Sequence, residues 1–233
     1  MAILVRTWNL FHGNAMPPER RGYLREMVDL ATADEPGIVC LQEVPVWALA
    51  YLEAWSGMRA LGAVAAVPRV NAALGRWTTE LHQGLLRSAL TGQANAILVA
   101  RGLDVAEERT LVISESGERR VCQLARVGGL GVVGNLHATG GPAADEQFRR
   151  AVDWIASADN PTILAGDVNL RPGEGETYGH LASLGFSSPL EGSIDQIVVR
   201  GLPSTPPTAW PAERRSVRGR LLSDHAPVEL TAG

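Results

Sequence analysis

The sequence predicts a mixed α/β (α+β) fold: two packed, mostly antiparallel β-sheets flanked by helices. Two observations predict it. Strand-length apolar runs recur along the whole chain, and amphipathic helical patterns separate only some of them. Strand–strand neighbours therefore outnumber strict β–α alternation, which argues against a doubly wound parallel sheet.

The elements follow in order. "AILVRTWN" (2–9) opens the chain as a strand. "PPERRGYLREMVDLATA" (17–33) begins with Pro and spaces Leu24, Met27, Val28 and Ala31 at helical intervals. "GIVCLQ" (37–42) is a strand and "VPVWALAYLEAWS" (44–56) a helix. Strands follow at 58–67 and 94–100, with an extra helical segment between them over 69–92. The runs 103–113, 119–127 and 130–138 are strands, and 143–157 is a helix with Phe148, Ala151, Val152 and Ile155 on one face. Strands at 161–168, 194–199 and 226–231 complete the set. The Pro- and Arg-rich stretch 201–222 reads as a loop. Trp8 and Trp77 are read as core; the alternative for Trp77 is a platform for a base or an acyl chain.

Composition excludes several classes. The net charge is −4, so no global basic field attracts nucleic acid. All 21 basic residues are Arg. A Lys Schiff base, a Walker-type Lys and a Lys general base are therefore absent. Cys40 and Cys122 lie in apolar runs and read as buried free thiols. "MAILVRTWNL" reads as a first strand rather than a signal peptide, and no run approaches the ~20 apolar residues of a membrane span. The expectation is a cytoplasmic monomer.

Polar residues stand at one strand end after another. Asn9 and Glu43 end strands, Asn95 opens one, His137 ends one, Asp167 and Asn169 follow another, Asp195 opens one, and Asp224–His225 precede the last. Any one of these is ordinary, because strands end where polarity returns. Together they form a chemical set. Carboxylates with amide oxygens suit a hard cation such as Mg²⁺. Histidines suit proton transfer or contact with a phosphate. The histidines are not spaced as zinc-ligand pairs.

The pieces "TWNL", "LQE", "NAIL", "NLHA", "GDVN", "SIDQIVV" and "SDHAPV" occur in one order from residue 7 to residue 228. In that order the chain resembles the endonuclease/exonuclease/phosphatase superfamily, its deoxyribonuclease branch above all. The resemblance implies a single domain over residues 1–233 and a four-layer, DNase I-like sandwich. It implies a Mg²⁺-dependent phosphodiesterase, with Mn²⁺ able to substitute, acting on a phosphodiester such as nucleic acid. By the same resemblance Asn9, Glu43 and Asp224 would hold the metal. Asp167 and Asn169 would sit against the scissile phosphate. His225, backed by Asp195, would contact the phosphate or take a proton. His137 would donate to a phosphate oxygen or the leaving group, and Asn95 would contact phosphate or brace its loop.

Three functions stay open at this stage. The first is a nuclease. The second is a phosphoesterase of a small molecule or lipid head group. The third is a non-catalytic binding member, disfavoured because every catalytic-type position is filled. "RRSVRGR" (214–220) could grip a polyanion, or be a solvated flexible loop. Arg20 and Arg21 could reach substrate, or lie on an exposed helix face.

Overall fold

The computed structural model describes residues 2–81, 90–114, 116–158 and 161–233. Among them, one six-stranded sheet runs in the order β11 (Thr208–Ala209), β14 (Val228–Ala232), β1 (Ile3–Asn9), β3 (Ile38–Val44), β5 (Gln93–Val99), β4 (Arg59–Ala66). A five-stranded sheet runs β10 (Asp195–Arg200), β9 (Thr162–Asp167), β8 (Gly131–His137), β7 (Val121–Val127), β6 (Val105–Val112). A small third sheet joins β12 (Ser216–Val217), β13 (Arg220–Leu222) and β2 (Ala15–Met16). The pairs β1–β3 and β8–β9 are parallel and the remaining pairs antiparallel.

Alternation along each strand separates the layers. Ile38 and Cys40 of β3 face the second sheet, meeting Val133, Ile163, Ala165 and Ile197. Val39 and Leu41 face the other way, onto Met27 and Val28 of α1 (Leu24–Ala31) and Leu52 of α2 (Leu52–Ser56). On the far side, Val132, Leu136 and Leu164 pack on Phe148, Val152 and Ile155 of α4 (Ala144–Ala156), with Leu181 of α5 (Thr177–Ser183) beside them. Each fully buried Val, Ile or Leu contributes about 1.5–3 kcal/mol, so three stacked apolar layers fix which strand end lies beside which. Cys40 and Cys122 are buried free thiols, as expected.

Several elements differ from expectation. The helix expected over 17–33 is confined to α1. Just before that segment Ala15–Met16 are held as a strand against Leu221–Leu222, and Tyr23 N–H bonds Gly13 O. Residues 44–56 divide into a 3₁₀ stretch, Val46–Tyr51, and the short α2. Within 69–92 the structure describes α3 (Ala72–Leu81), and residues 82–89 lie outside the described residues. Trp77 is not core: it is 51 % exposed. The 201–222 stretch holds β11, β12, β13 and a 3₁₀ turn at Ala212–Arg215.

Candidate active site

Register places the site. His137 pairs with Asp167 across β8–β9, and Asp167 pairs with Asp195 across β9–β10. Three chemically active residues thus stand side by side at neighbouring strand ends, spaced by roughly 4.8 Å per strand. Gly166 permits this close pairing. Its φ is 142°, and a Cβ there would lie 2.0 Å from Leu136 O. The first sheet meets this row through Asn9, whose Nδ2 donates to Asp167 Oδ2 (2.9 Å) and Glu43 Oε1 (3.3 Å). Glu43 sits where the β3–β5 register shifts, with φ 52°, a bulge that re-aims its side chain. Asn169 and Ser223 also adopt left-handed backbone, at φ 50° and 59°. Such non-glycine residues gather at sites where surrounding structure over-determines the backbone.

The "SDH" turn is anchored from several directions. Ser223 Oγ donates to Asn9 O (2.7 Å) and accepts His225 N–H (3.1 Å). Trp8 Nε1 donates to His225 O (3.0 Å). Arg215 Nη1 reaches Leu222 O, Ser223 O and His225 O at 2.8, 2.7 and 3.0 Å. The imidazole of His225 lies with Nδ1 2.9 Å from Asp195 Oδ2 and Nε2 3.8 Å from Asp167 Oδ2. Asp224 Oδ1 is 3.9 Å from His225 Nε2.

Burial and crowding set the electrostatics. Burial would lower the His225 pKa, but the hydrogen bond and charge of Asp195, with Asp167 and Asp224, push it up to about 9. Burial first, and then the charge of Asp195, push Asp167 up to about 7. Burial raises Asp195 as well, opposed by His225. Burial raises Glu43, opposed by Asn9 and Arg120. His137 is held well below the usual range by burial and by the positive charges of Arg120 and His225.

Residues that the sequence left unremarked complete the site. His12 is buried, with Nε2 3.5 Å from Glu43 Oε2. It is one of only five histidines and lies three residues past Asn9, a usable signal. Arg120 sets its guanidinium against the His137 ring, Nη1 at 2.8 Å from Nδ1, and grips Glu118 at 2.9 Å. Nothing in "RRVCQ" marks it. Asn169 donates through Nδ2 to Ala138 O (2.8 Å), and its N–H bonds Asp167 Oδ1 (3.0 Å). Asn95 is buried, with its amide donating to Val121 O (3.0 Å). The 214–220 stretch is tethered rather than loosely solvated. Arg214 pairs with Asp34 and Glu229, Arg215 holds the "SDH" turn, and Arg220 pairs with Glu19. Arg21 precedes α1 and pairs with Glu26 at 2.7 Å.

The donor set fits a hard divalent cation. Glu43, Asp167, Asp195 and Asp224 converge, and burial raises the first three towards their neutral forms. A cation would relieve that crowding, and oxygen donors without thiolate select Mg²⁺-like ions. Asp167, Asp195 and His225 each offer a ligand atom within 4.8 Å of the others. An imidazolium has no lone pair for a metal, so His225, paired to Asp195, suits proton handling better than ligation. Asn9 turns its NH₂ to the carboxylates while its Oδ1 accepts Phe11 N–H (2.9 Å), which orients Glu43.

The layered sandwich and its strand-end cluster define a DNase I-like fold. The chain belongs to the Endonuclease/Exonuclease/phosphatase family, whose sequence model matches residues 7–226. A functionally unknown conserved protein from Enterococcus faecalis V583 superposes with a TM-score of 0.74 at 18% identity, over 99% of both chains. A mannosyl-6-phosphatase from Bacteroides thetaiotaomicron VPI-5482 gives 0.69 at 18% identity, over 99% of both chains. Truncated TDP2 from Caenorhabditis elegans gives 0.65 at 20% identity, over 100% of this chain and 98% of that one. At these identities the likeness is one of fold. A comparison with curated proteins finds no match. Among the described residues, no helix is long and apolar enough to cross a membrane.

Proposed function

We propose that this protein is a divalent-metal-dependent phosphodiesterase acting as a nuclease, with Mg²⁺ as its ion and Mn²⁺ as a substitute. The observation that carries the reading is the row His137–Asp167–Asp195 with His225 docked on Asp195 at 2.9 Å. Glu43 and Asp224 would hold the metal, with Asn9 orienting Glu43. Bound there, the metal would neutralise charge building on the phosphoryl oxygens and supply a polarised water. Asp195 fixes the His225 ring so that Nε2 faces Asp167, where a proton can be held or handed on. His137, set by Arg120, donates to a phosphate oxygen from the other flank of Asp167. Asn169 is fixed by Ala138 and Asp167 at the rim, where it positions the substrate. Membership in a family that typically hydrolyses phosphoesters supports the reading.

The test is a substrate panel with Mg²⁺ or Mn²⁺: plasmid DNA, abasic duplex, RNA, sphingomyelin, a bis-aryl phosphodiester and mannose 6-phosphate. The last covers the phosphomonoester class named for one structural neighbour. Cleavage of the diesters, abolished by EDTA, is expected. Turnover of the sugar phosphate alone would overturn the phosphodiesterase reading.

A further inference from the structure

Immediately after Glu43 the chain builds an aromatic platform that the catalytic residues do not use. Trp47 lies at its base, with Nε1 donating to Thr79 Oγ1 of α3 (3.0 Å). Tyr51 and Trp55 stack with centroids 5.5 Å apart and planes at 17°, and both meet Trp47 edge-on at 5.9 and 6.1 Å. The guanidinium of Arg76 lies 5.3 Å over the Tyr51 ring and 5.8 Å over Trp47. Beyond it Trp77 is 51 % exposed and Tyr51 39 %. Two cavities of about 350 and 470 Å³ adjoin at Trp47 and Arg76, which line both, and leave a grooved surface beside the platform.

We propose that this groove binds unpaired nucleotides next to the scissile phosphate, which makes single-stranded nucleic acid the substrate class. The proposal rests on the phosphodiesterase reading and deepens it. Charge favours a polyanion. Arg21, Arg25 and Arg76 line the groove among its described lining residues; Arg21 pairs with Glu26 at 2.7 Å and Arg25 with Asp29 at 3.8 Å, both solvent-accessible pairs of the weak kind that a polyanion can displace. An exposed Trp ring such as that of Trp77, beside arginines, is the kind of feature on which bases stack in strands bound without pairing. A duplex hides its base faces and gains nothing from such a platform. A sugar ligand calls for carboxylates and amides to hold its hydroxyls, and this lining offers one carboxylate, already tied to Arg21 at 2.7 Å. Position also fits. Trp47 follows Glu43 by four residues, so it lies within roughly 14 Å along an extended chain.

The test measures binding apart from chemistry. Fluorescein-labelled single-stranded dT of ten nucleotides is titrated with the full chain in EDTA and read by anisotropy. An abasic strand of equal length, a duplex and phosphatidylserine vesicles serve as comparisons. The single strand is expected to bind at least on the order of tenfold tighter than the abasic strand. Trp77→Ala should remove most of that difference, and Trp77→Phe should retain it. Arg76→Gln provides a second variant and should weaken the single strand and flatten its salt dependence. Equal affinity for the abasic strand, preference for duplex or vesicles, or an unchanged Trp77→Ala would overturn the proposal. Cleavage of the bis-aryl diester with Mg²⁺ is measured in parallel on the unmodified protein. If that cleavage is absent while dT binds as described, the activity reading fails and the groove stands. If the diester is cleaved while dT does not bind, the groove alone fails.

Discussion

Asp195→Asn tests the centre of the mechanism. Asp195 is 4 % exposed, and its carboxylate lies 2.9 and 3.1 Å from His225 Nδ1. Asparagine keeps the shape and the strand pairing with Asp167 but removes the anion that fixes the ring. A positioned proton-transfer group is worth 10²–10⁴ in rate. The single substitution should therefore cost at least about a hundredfold in kcat/KM, or about 2.7 kcal/mol of transition-state stabilisation. Groups acting as one unit are non-additive. Asp195→Asn combined with His225→Ala should then fall within about threefold of His225→Ala alone. Were the two independent, the double variant would lie roughly a further hundredfold lower. His137 provides the contrast, because its ring is set by Arg120 and not by Asp195. Loss of His137 and loss of His225 should combine roughly multiplicatively. The assay is initial-rate cleavage of a bis-aryl diester at saturating Mg²⁺. Multiplicative behaviour of Asp195 and His225 would show that the contact is only structural and would refute the assignment.

Other outcomes follow from single contacts. EDTA should abolish activity and Mg²⁺ or Mn²⁺ restore it, whereas Glu43→Gln should need far more metal for half-maximal rate; an unchanged metal titration would exclude Glu43 as a ligand. Arg215→Gln removes the donor shared by Leu222, Ser223 and His225 carbonyls, and kcat should fall about tenfold with every catalytic side chain present. Arg6 is fully buried, bonding Glu229 (2.7 Å) and the carbonyls of Ala31 and Ala33; because Glu229 keeps Arg214, Arg6→Met should cost about 3 kcal/mol in urea unfolding, the low end for a broken buried pair. Burial pushes Asp145 up, but hydrogen bonds from Thr177 and Glu176 outweigh it, and its folded pKa is lowered. Its stabilisation is therefore complete above the ordinary carboxylate pKa of ~4 and lost as pH falls through the folded value. Asp145→Asn should melt below the parent at pH 7, and the gap should narrow as pH falls through the folded value.

The strands were legible because their signal is local. In "GIVCLQ" the residues from Ile38 to Leu41 are all apolar, and the structure runs β3 over Ile38–Val44. The helix at 143–157 carried its whole apolar face in sequence and forms over Ala144–Ala156. The 17–33 segment misled for a physical reason. Its Pro opening and helical spacing are real, but the chain entering it is tied down where Ala15–Met16 pair with residues more than two hundred positions later, and the helix begins only at Leu24. Local pattern cannot report that competitor. Trp77 misled similarly: its helix face looks apolar, yet the groove under it leaves the ring half in solvent.

The site divides along the same line. The residues proposed to do the chemistry stand at strand ends, where a change from apolar to polar composition marks them one by one. Sheet register then does what sequence cannot, setting His137, Asp167 and Asp195 abreast although they come from three separate runs. The bracing residues have no such mark. Arg120 and Arg215 look like any surface arginine in sequence. Each becomes part of the site only because a neighbouring strand or hairpin delivers an imidazole or three carbonyl oxygens to its guanidinium. A guanidinium suits this task because it stays charged when partly buried and presents several donors in a fixed plane. The absence of lysine in the chain thus has a structural consequence whatever its origin. The cations that hold the candidate catalytic turn and the second histidine are therefore planar guanidinium groups with several donors, a geometry that a lysine ammonium does not offer.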